Sequence, residues 1–354
     1  MASRKKDIET WVAAEIARLS PGERLPTVRE IMRRFRTAQR TVEAAIAPYI
    51  ASGHLIARRG AGICVAEPLA NEESFEADVL VLYRISASRL ARSLLTELER
   101  RFKTRGQRIM LLGFSDEDHA LSVLSRLGRY RVCLIQVHFE PLALSFIAGI
   151  ADHANAVVVD GISATGVGVD AIGTNWREAL TVAIRHLKES GHQRIAFLTS
   201  AHPARQIAMA RREYLRFCEN GGDQGWLIEI EGLPGDYKLT DLTAGLGDYR
   251  QVDGSFPFSA LITWGVVDGH KLDHALGDLG LRCPSDLSVV MLGSIDNHSE
   301  HLGRFDVVGN SNAEKIACFE NVILSRLALE GDAPTVHYLP VHRAVFGSVE
   351  TCDK

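Results

Sequence analysis

Five arginines, Arg29, Arg33, Arg34, Arg36 and Arg40, fall within twelve residues of the stretch LPTVREIMRRFRTAQRTVEAAI (25–46). Guanidinium groups at that density suit a polyanionic partner, and Arg or Gln at the start of a helix can make bidentate bonds to guanine or adenine edges. The plain alternative is a solvated, Arg-rich helix face. The charge partition favours the first. Residues 1–66 hold 12 Lys/Arg and 6 Asp/Glu, a balance of +6, whereas the remaining 288 residues hold 28 and 38, a balance of −10. A basic head on an acidic body places the polyanion at the head.

Other chemistry-bearing patterns are sparse. The sequence has no Gly-x-Ser-x-Gly elbow, no phosphate loop ending Gly-Lys-Ser/Thr and no His-Glu-x-x-His, which argues against the commonest hydrolases and nucleotidases. His270 and His274 in HKLDH and His298 and His301 in NHSEH are close pairs with no third ligand in sight, and they read as surface histidines. No metal or other cofactor is expected. Cysteines 64, 133, 218, 283, 318 and 352 are scattered and never form Cys-x-x-Cys, so reduced, packed thiols are expected. At 46% hydrophobic and 24% charged residues the composition is that of a globular protein, and 354 residues suggest two or three domains. No apolar run approaches a membrane span, and the first nineteen residues lack a signal-peptide core, so a cytoplasmic location is expected.

The elements that must position the arginines follow from local pattern. Trp11, Ile16 and Leu19 lie on one face of a helix over 6–19, and Pro21, Gly22 and Pro26 break it. Thr27 with Glu30 has capping-box spacing for a second helix over 28–35. A third runs from Gln39 to about Ser52, with Pro48 expected to kink or shorten it. Leu55–Arg59 and Ile63–Ala66 alternate as strands around a Gly60-Ala61-Gly62 turn. Three helices and a Gly-tipped hairpin predict a winged helix-turn-helix.

PGERLPTVREI, then RTVEAAI, then GHLIARRGAGICV resemble, in order, the N-terminal domain of GntR-type regulators over residues 5–66. The usual V-S-R-T-T-V reads TAQRTV here, which changes the residues offered to bases. The resemblance implies a recognition helix in the major groove, with Gln39 and Arg40 reading bases and Thr41 on a phosphate. Arg29 matches that family's DNA-contacting arginine, and Arg58, Gly60 and Gly62 would bring the wing to the backbone or minor groove.

Beyond an acidic linker at 69–77, short apolar runs alternate with helical stretches as far as LSVVML (287–292). That rhythm predicts an α/β body over 78–350, with parallel sheets in two lobes. IGTNWREALTVAIRHLKESGHQRIAFLTS, LGLRCPSDLSVVMLGSID and LPVHRAVFGSVE resemble segments of the LacI/GalR family. A GntR-type head on a LacI-type body is the layout of the arabinose repressors, and the body implied is periplasmic-binding-protein-like, with two lobes joined by three crossing strands. The resemblance places an effector pocket at the carboxyl ends of the strands, between the lobes. Three polar positions of the family pattern have changed. The Arg falls on Ala210, with Glu213 and Tyr214 following; the Asn-Asp pair is Trp264-Gly265; a strand-end Asp is Gly293. Residues positioned to replace them are Arg84, His138, Asn175, Trp176, Arg211, Trp264 and Asp296, with Trp264 offering a face for stacking.

The sequence therefore reads as a ligand-responsive transcriptional repressor of carbohydrate-related genes. Its expected partners are operator DNA, a sugar or sugar-derived effector and a second copy of the chain, with helix 87–105 a dimer contact and no membrane involved. The alternative is a body that has lost sugar binding and serves dimerisation or senses a different ligand.

Overall fold

The computed structural model describes residues 2–20, 22–51, 55–58, 62–65, 75–85, 89–137, 141–164, 167–221, 225–329 and 333–352. The chain divides into two compact units, residues 1–74 and 75–354.

In the first unit, α1 (Ala2–Arg18), α2 (Val28–Phe35) and α3 (Gln39–Ala51) precede the antiparallel strands β1 (Leu55–Arg58) and β2 (Gly62–Val65). Ile8, Val12, Ile31, Val42, Ala45 and Ile46 form the apolar centre, closed by Leu25, Leu55 and Val65. The capping box is present in both directions: the Thr27 side chain accepts from Glu30 N, and the Glu30 carboxylate accepts from Thr27 N at 2.7 Å. α2 ends on Arg36 in the left-handed region, φ 46°. Residues 22–25, which interrupt the helical pattern, join β2 through Leu25 N to Ile63 O and Val65 N to Glu23 O, both 2.8 Å. α3 runs through Pro48 to Ala51 instead of stopping at it. The acceptor that loses its bond there, Ala44 O, belongs to an exposed residue that water can serve.

The second unit begins with β3 (Phe75–Arg84), which starts inside the segment expected as linker. Phe75 pairs with Arg129, and a register shift between Phe75 and Ala77 is why the alternation there is hard to see in sequence. There follow α4 (Arg89–Thr104), β4 (Ile109–Phe114), α5 (Glu117–Leu124), β5 (Arg129–Gln136), α6 (Leu144–Ala151), β6 (Ala154–Asp160) and β7 (Asp170–Thr174). The chain then crosses to α7 (Trp176–Glu189), β8 (Ile195–Ser200), α8 (Arg205–Gly221), β9 (Trp226–Ile230), α9 (Leu239–Gly247), β10 (Ala260–Trp264), α10 (Gly269–Asp278), β11 (Ser288–Ser294), α11 (His298–His301) and β12 (Asp306–Asn310). It returns through α12 (Asn312–Leu327) and β13 (Val336–Leu339), and crosses again to β14 (His342–Ala344).

One sheet has the order β13-β7-β6-β5-β3-β4 and is parallel throughout. The other, β14-β12-β11-β10-β8-β9, is parallel except for the edge strand β14. Apolar clusters cover both faces of each sheet, the arrangement that lets strands be almost wholly apolar. The chain therefore passes between the lobes three times, after Thr174, after Asn310 and after Leu339. Two of these crossings are joined by a buried bond from Thr174 Oγ1 to Asn310 Oδ1, 2.8 Å.

Although α12 follows a strand of the second lobe, its Phe319, Ile323 and Leu327 pack into the first. Its Glu320 pairs with Arg101 at 2.8 Å and Arg105 at 2.7 Å on α4. Asp170 is fully buried and holds Arg326 bidentately at 2.7 and 2.9 Å, together with Thr335 N and His337. Burial alone would raise that carboxyl, but the Arg326, Thr335 and His337 bonds hold it below the usual range. Among the described residues no helix is long and apolar enough to cross a membrane.

Candidate functional site

A cavity of about 160 Å³ opens where strand ends of both lobes meet. That is ample for ordered water and below the roughly 300 Å³ of a site for a drug-sized molecule, so the fitting ligand is small. One wall is built by Gln136, Asp160 and Thr174 at the carboxyl ends of β5, β6 and β7, with Ala91 and Leu94 of α4. The facing wall is Trp264, Gly265, Gly293 and Ser294 at the carboxyl ends of β10 and β11, with Glu300 of α11. Asn310, Asn312 and Lys315 line it where β12 passes into α12, and Trp176 where α7 begins. Ligands of open parallel sheets bind at such strand ends.

The wall charges are specific. Lys315 Nζ is 2.8 Å from Asp160 Oδ1, and Gln136 Nε2 lies 3.4 Å from Asp160 Oδ2. Gln136 is 3% exposed, and its Oε1 meets no donor among the described residues. Glu300, also 3% exposed, accepts from Ser294 N at 2.8 Å and from Asn297 Nδ2 at 2.9 Å. Burial pushes its carboxyl up to about 7, against the pull of those two donors.

The three altered positions are explained by what surrounds them. Ala210 is fully buried in the same cluster as Ile207, Tyr214 and Trp264, so that helix position presents nothing to the cavity. Gly265 has φ +91°, and a Cβ there would lie 2.7 Å from the Tyr237 hydroxyl and 2.9 Å from Pro234 Cβ. Its side-chain room is taken by Tyr237 and Pro234. At Gly293 the occupant is polar: a Cβ would lie 2.4 Å from Glu300 Oε2. A carboxylate thus stands where the strand-end residue has none of its own.

Of the residues expected to line the pocket, Trp176 and Trp264 do so. Their rings are 5.0 Å apart and tilted by 38°. Trp264 is only 2% exposed, so most of its indole serves the core and an edge remains for the cavity. Four others are not on the wall. Arg84 leans over Phe114 and reaches Ser115 O and Glu117, because the end of β3 carries it toward α5. Asn175 stands between wall residues, ahead of α7, without joining them. Arg211 is held by Ala201 O, Ser200 O and Glu229. Asp296 secures the start of α12: it accepts from Asn312 N, Ala313 N and the Ser311 and Ser294 hydroxyls. Burial opposes its charge, yet those donors hold the carboxyl at about 2. His138 lies outside the described residues.

Sequence reading missed Gln136, Asp160, Lys315 and Glu300. The available signal for Glu300 was a glycine in a carboxylate position with an acidic residue in the following turn. His301 also departs from expectation. It is fully buried and stacked on Phe346 at 4.6 Å, with Gly303 N donating to its Nδ1. Among the described residues no group of three metal-ligating side chains assembles.

In the first unit Arg29, Gln39 and Arg40 are exposed and Thr41 is half-buried. Arg29, Arg33, Arg36, Met32 and Thr37 line a shallow depression on α2 and the turn after it. Gln39 Nε2 donates to Glu43 at 2.7 Å. Arg34 is used differently, its guanidinium lying 5.0 Å over the Trp11 ring. Gly62 has φ +83° with open space around it. Gly60 and the side chain of Arg58 lie outside the described residues.

Residues 184–306 match the periplasmic binding protein-like domain family. The chain is 24% identical over 248 residues to the HTH-type transcriptional regulator GalS of Salmonella typhimurium, covering 67% of each. A LacI transcriptional regulator from a Rhodococcus species superposes with a TM-score of 0.62 at 18% identity, over 77% of this chain and 98% of that one. A LacI family regulator from Enterococcus faecium with bound ribose does so at 0.62 and 13%, over 77% and 100%. The fold of the matched part is that of periplasmic-binding-protein-like domains.

Proposed function

We propose that this protein is a ligand-responsive DNA-binding transcriptional regulator and not an enzyme. Its first unit acts as a winged helix-turn-helix of GntR type, and its second takes a small carbohydrate-related effector between the lobes. The observation that carries this reading is the cavity at the strand ends, walled by two lobes that the chain crosses three times. The bound ribose in one structural neighbour and the regulator relative support it.

On the DNA side, Arg29 and the start of α3 supply the exposed contacts: Gln39 and Arg40 to bases, Thr41 to phosphate, and Arg58, Gly60 and Gly62 from the wing. One such head makes too small a contact for high affinity, so two copies bind a near-palindromic site. The effector acts only through a difference in affinity between two arrangements of the lobes, and it releases the operator when it favours the arrangement that binds DNA weakly.

The test is selection of duplexes from a random library by the full chain, then titration of the enriched sequence at several salt concentrations. The expected result is a two-fold-symmetric site, a dimer by sedimentation, and log affinity falling linearly with log salt. Absence of any enriched sequence refutes the reading.

A further inference from the structure

The cavity wall carries two carboxylates, Asp160 and Glu300, and one ammonium, Lys315. Lys315 is already paired with Asp160 at 2.8 Å, which leaves Glu300 without a cation of its own. Its two neighbouring donors are a neutral backbone N–H and a neutral amide. The position that would carry an arginine in the resembled pattern is the buried Ala210. On the opposite lobe the buried Gln136 turns Nε2 toward Asp160 and leaves Oε1 waiting for a donor. A buried charge is stable only when paired, so the wall asks for a ligand rich in N–H and O–H donors and of positive charge.

From this juxtaposition we infer that Glu300, occupying the space left free at Gly293, is the cavity's ligand-binding carboxylate and selects small hydroxylated ligands bearing a protonated amine over their anionic analogues. The inference rests on the proposed effector site but reaches it from the chemistry of the wall. A sugar acid or sugar phosphate would bring a second negative charge against Glu300 and Asp160, with Lys315 already engaged. An ammonium would pair with Glu300 while ligand hydroxyls reach Gln136 Oε1. Trp176 and Trp264, with ring centroids 5.0 Å apart, border the same space and give the carbon skeleton of a ligand an apolar surface.

Gly293 is the permissive residue in this arrangement. Any side chain there collides with Glu300 Oε2, so Gly293→Ala displaces the carboxylate without removing it from the chain.

The experiment is thermal unfolding and calorimetric titration of the full chain with three matched series. These are amino sugars and amino polyols (glucosamine, galactosamine, mannosamine, glucamine), their neutral parents, and the corresponding sugar acids and phosphates. The expected result is a rise in Tm with at least one amine, binding at least tenfold tighter than its neutral parent, and no response to the anions. In Glu300→Gln that preference over the neutral parent falls at least tenfold, and Gly293→Ala shows the same loss with Glu300 still present. The assignment is overturned by an anion binding more tightly than its amine, by an undiminished preference in Glu300→Gln, or by no response to any amine. Duplex selection with wild type runs in parallel. Sequence-specific binding without an amine response sinks this inference alone, whereas failure to select DNA sinks the regulator reading and leaves the ligand result intact.

Discussion

Glu300 is a carboxyl whose protonation is coupled to folding. Its folded-state value of about 7 exceeds the ordinary 4.5, so the folded chain takes up a proton there between those limits. The stability this contributes is complete below about pH 4.5 and lost as pH rises to about 7. The loss is on the order of 3 kcal/mol from a shift of roughly two and a half pH units. Asp296, whose own carboxyl stays charged throughout this window, adds to the rise by like-charge repulsion, and Lys315 opposes it from α12. In ligand-free protein, Glu300→Gln is expected to flatten stability against pH between 5 and 7.5, measured as the difference from wild type in urea melts. Parallel curves would show that the carboxyl titrates in the ordinary range. Two arginines one residue apart make a second pair of expectations. Arg33→Ala flattens the salt slope of DNA binding by about one unit. Arg34→Ala leaves the slope alone and lowers the first unit's stability by about 1 kcal/mol, because its guanidinium packs on Trp11. A slope change in Arg34→Ala instead would reverse these assignments.

At the scale of elements, what was legible was local. Thr27 and Glu30 announce α2 because a capping box needs only four consecutive residues, and the bonds are present. Ser311 and Glu314 offer a similar cue for α12, where the Ser311 side chain accepts from Glu314 N. α9 carried little signal, since LTDLTAGLG has two glycines and is held by Leu242 and Leu246 packing inward. β12 is five residues long and is framed by a buried aspartate, which makes sense only once Asp306 is seen accepting from Phe346 N, Gly347 N and Ser348 N. Site residues behaved likewise. Strand ends pointed to Trp264, but which of Arg84, Arg211 and Asp296 turns toward the cavity depends on partners distant in sequence. Asp296 illustrates the cost. Asp296→Ala is expected to destabilise the second unit by on the order of 2–3 kcal/mol, since it strands two backbone N–H groups and two hydroxyls at the start of α12. Ligand affinity of the folded fraction should stay within about threefold, as calorimetry below the unfolding range would report; a far larger loss would return Asp296 to the site.

At the scale of the molecule, the second unit is two sheets that share one chain in alternation. The Thr174–Asn310 bond lies where two passages meet, so the lobes can reorient about it only if it survives or is remade. Thr174→Val removes the donor and leaves Asn310 Oδ1 buried without it. The expected consequence is a loss of about 1–2 kcal/mol and a weaker coupling between ligand and DNA. That coupling is measured as the ratio of operator affinities with and without ligand, and an unchanged ratio would exclude the bond from the switch. The same threading dictates an order of events during synthesis. The first lobe's sheet is completed by β13, and its apolar face is covered by α12, both of which leave the ribosome after nearly all of the second lobe. Until they emerge, the face over Val79, Val81, Leu134 and Ile172 has only α4 to cover it, and Asp170 has neither Arg326 nor His337 to meet it. The lobe begun first therefore waits for its last two elements until nearly all of the second lobe has been made, and only β14 and the closing segment of the second lobe follow them.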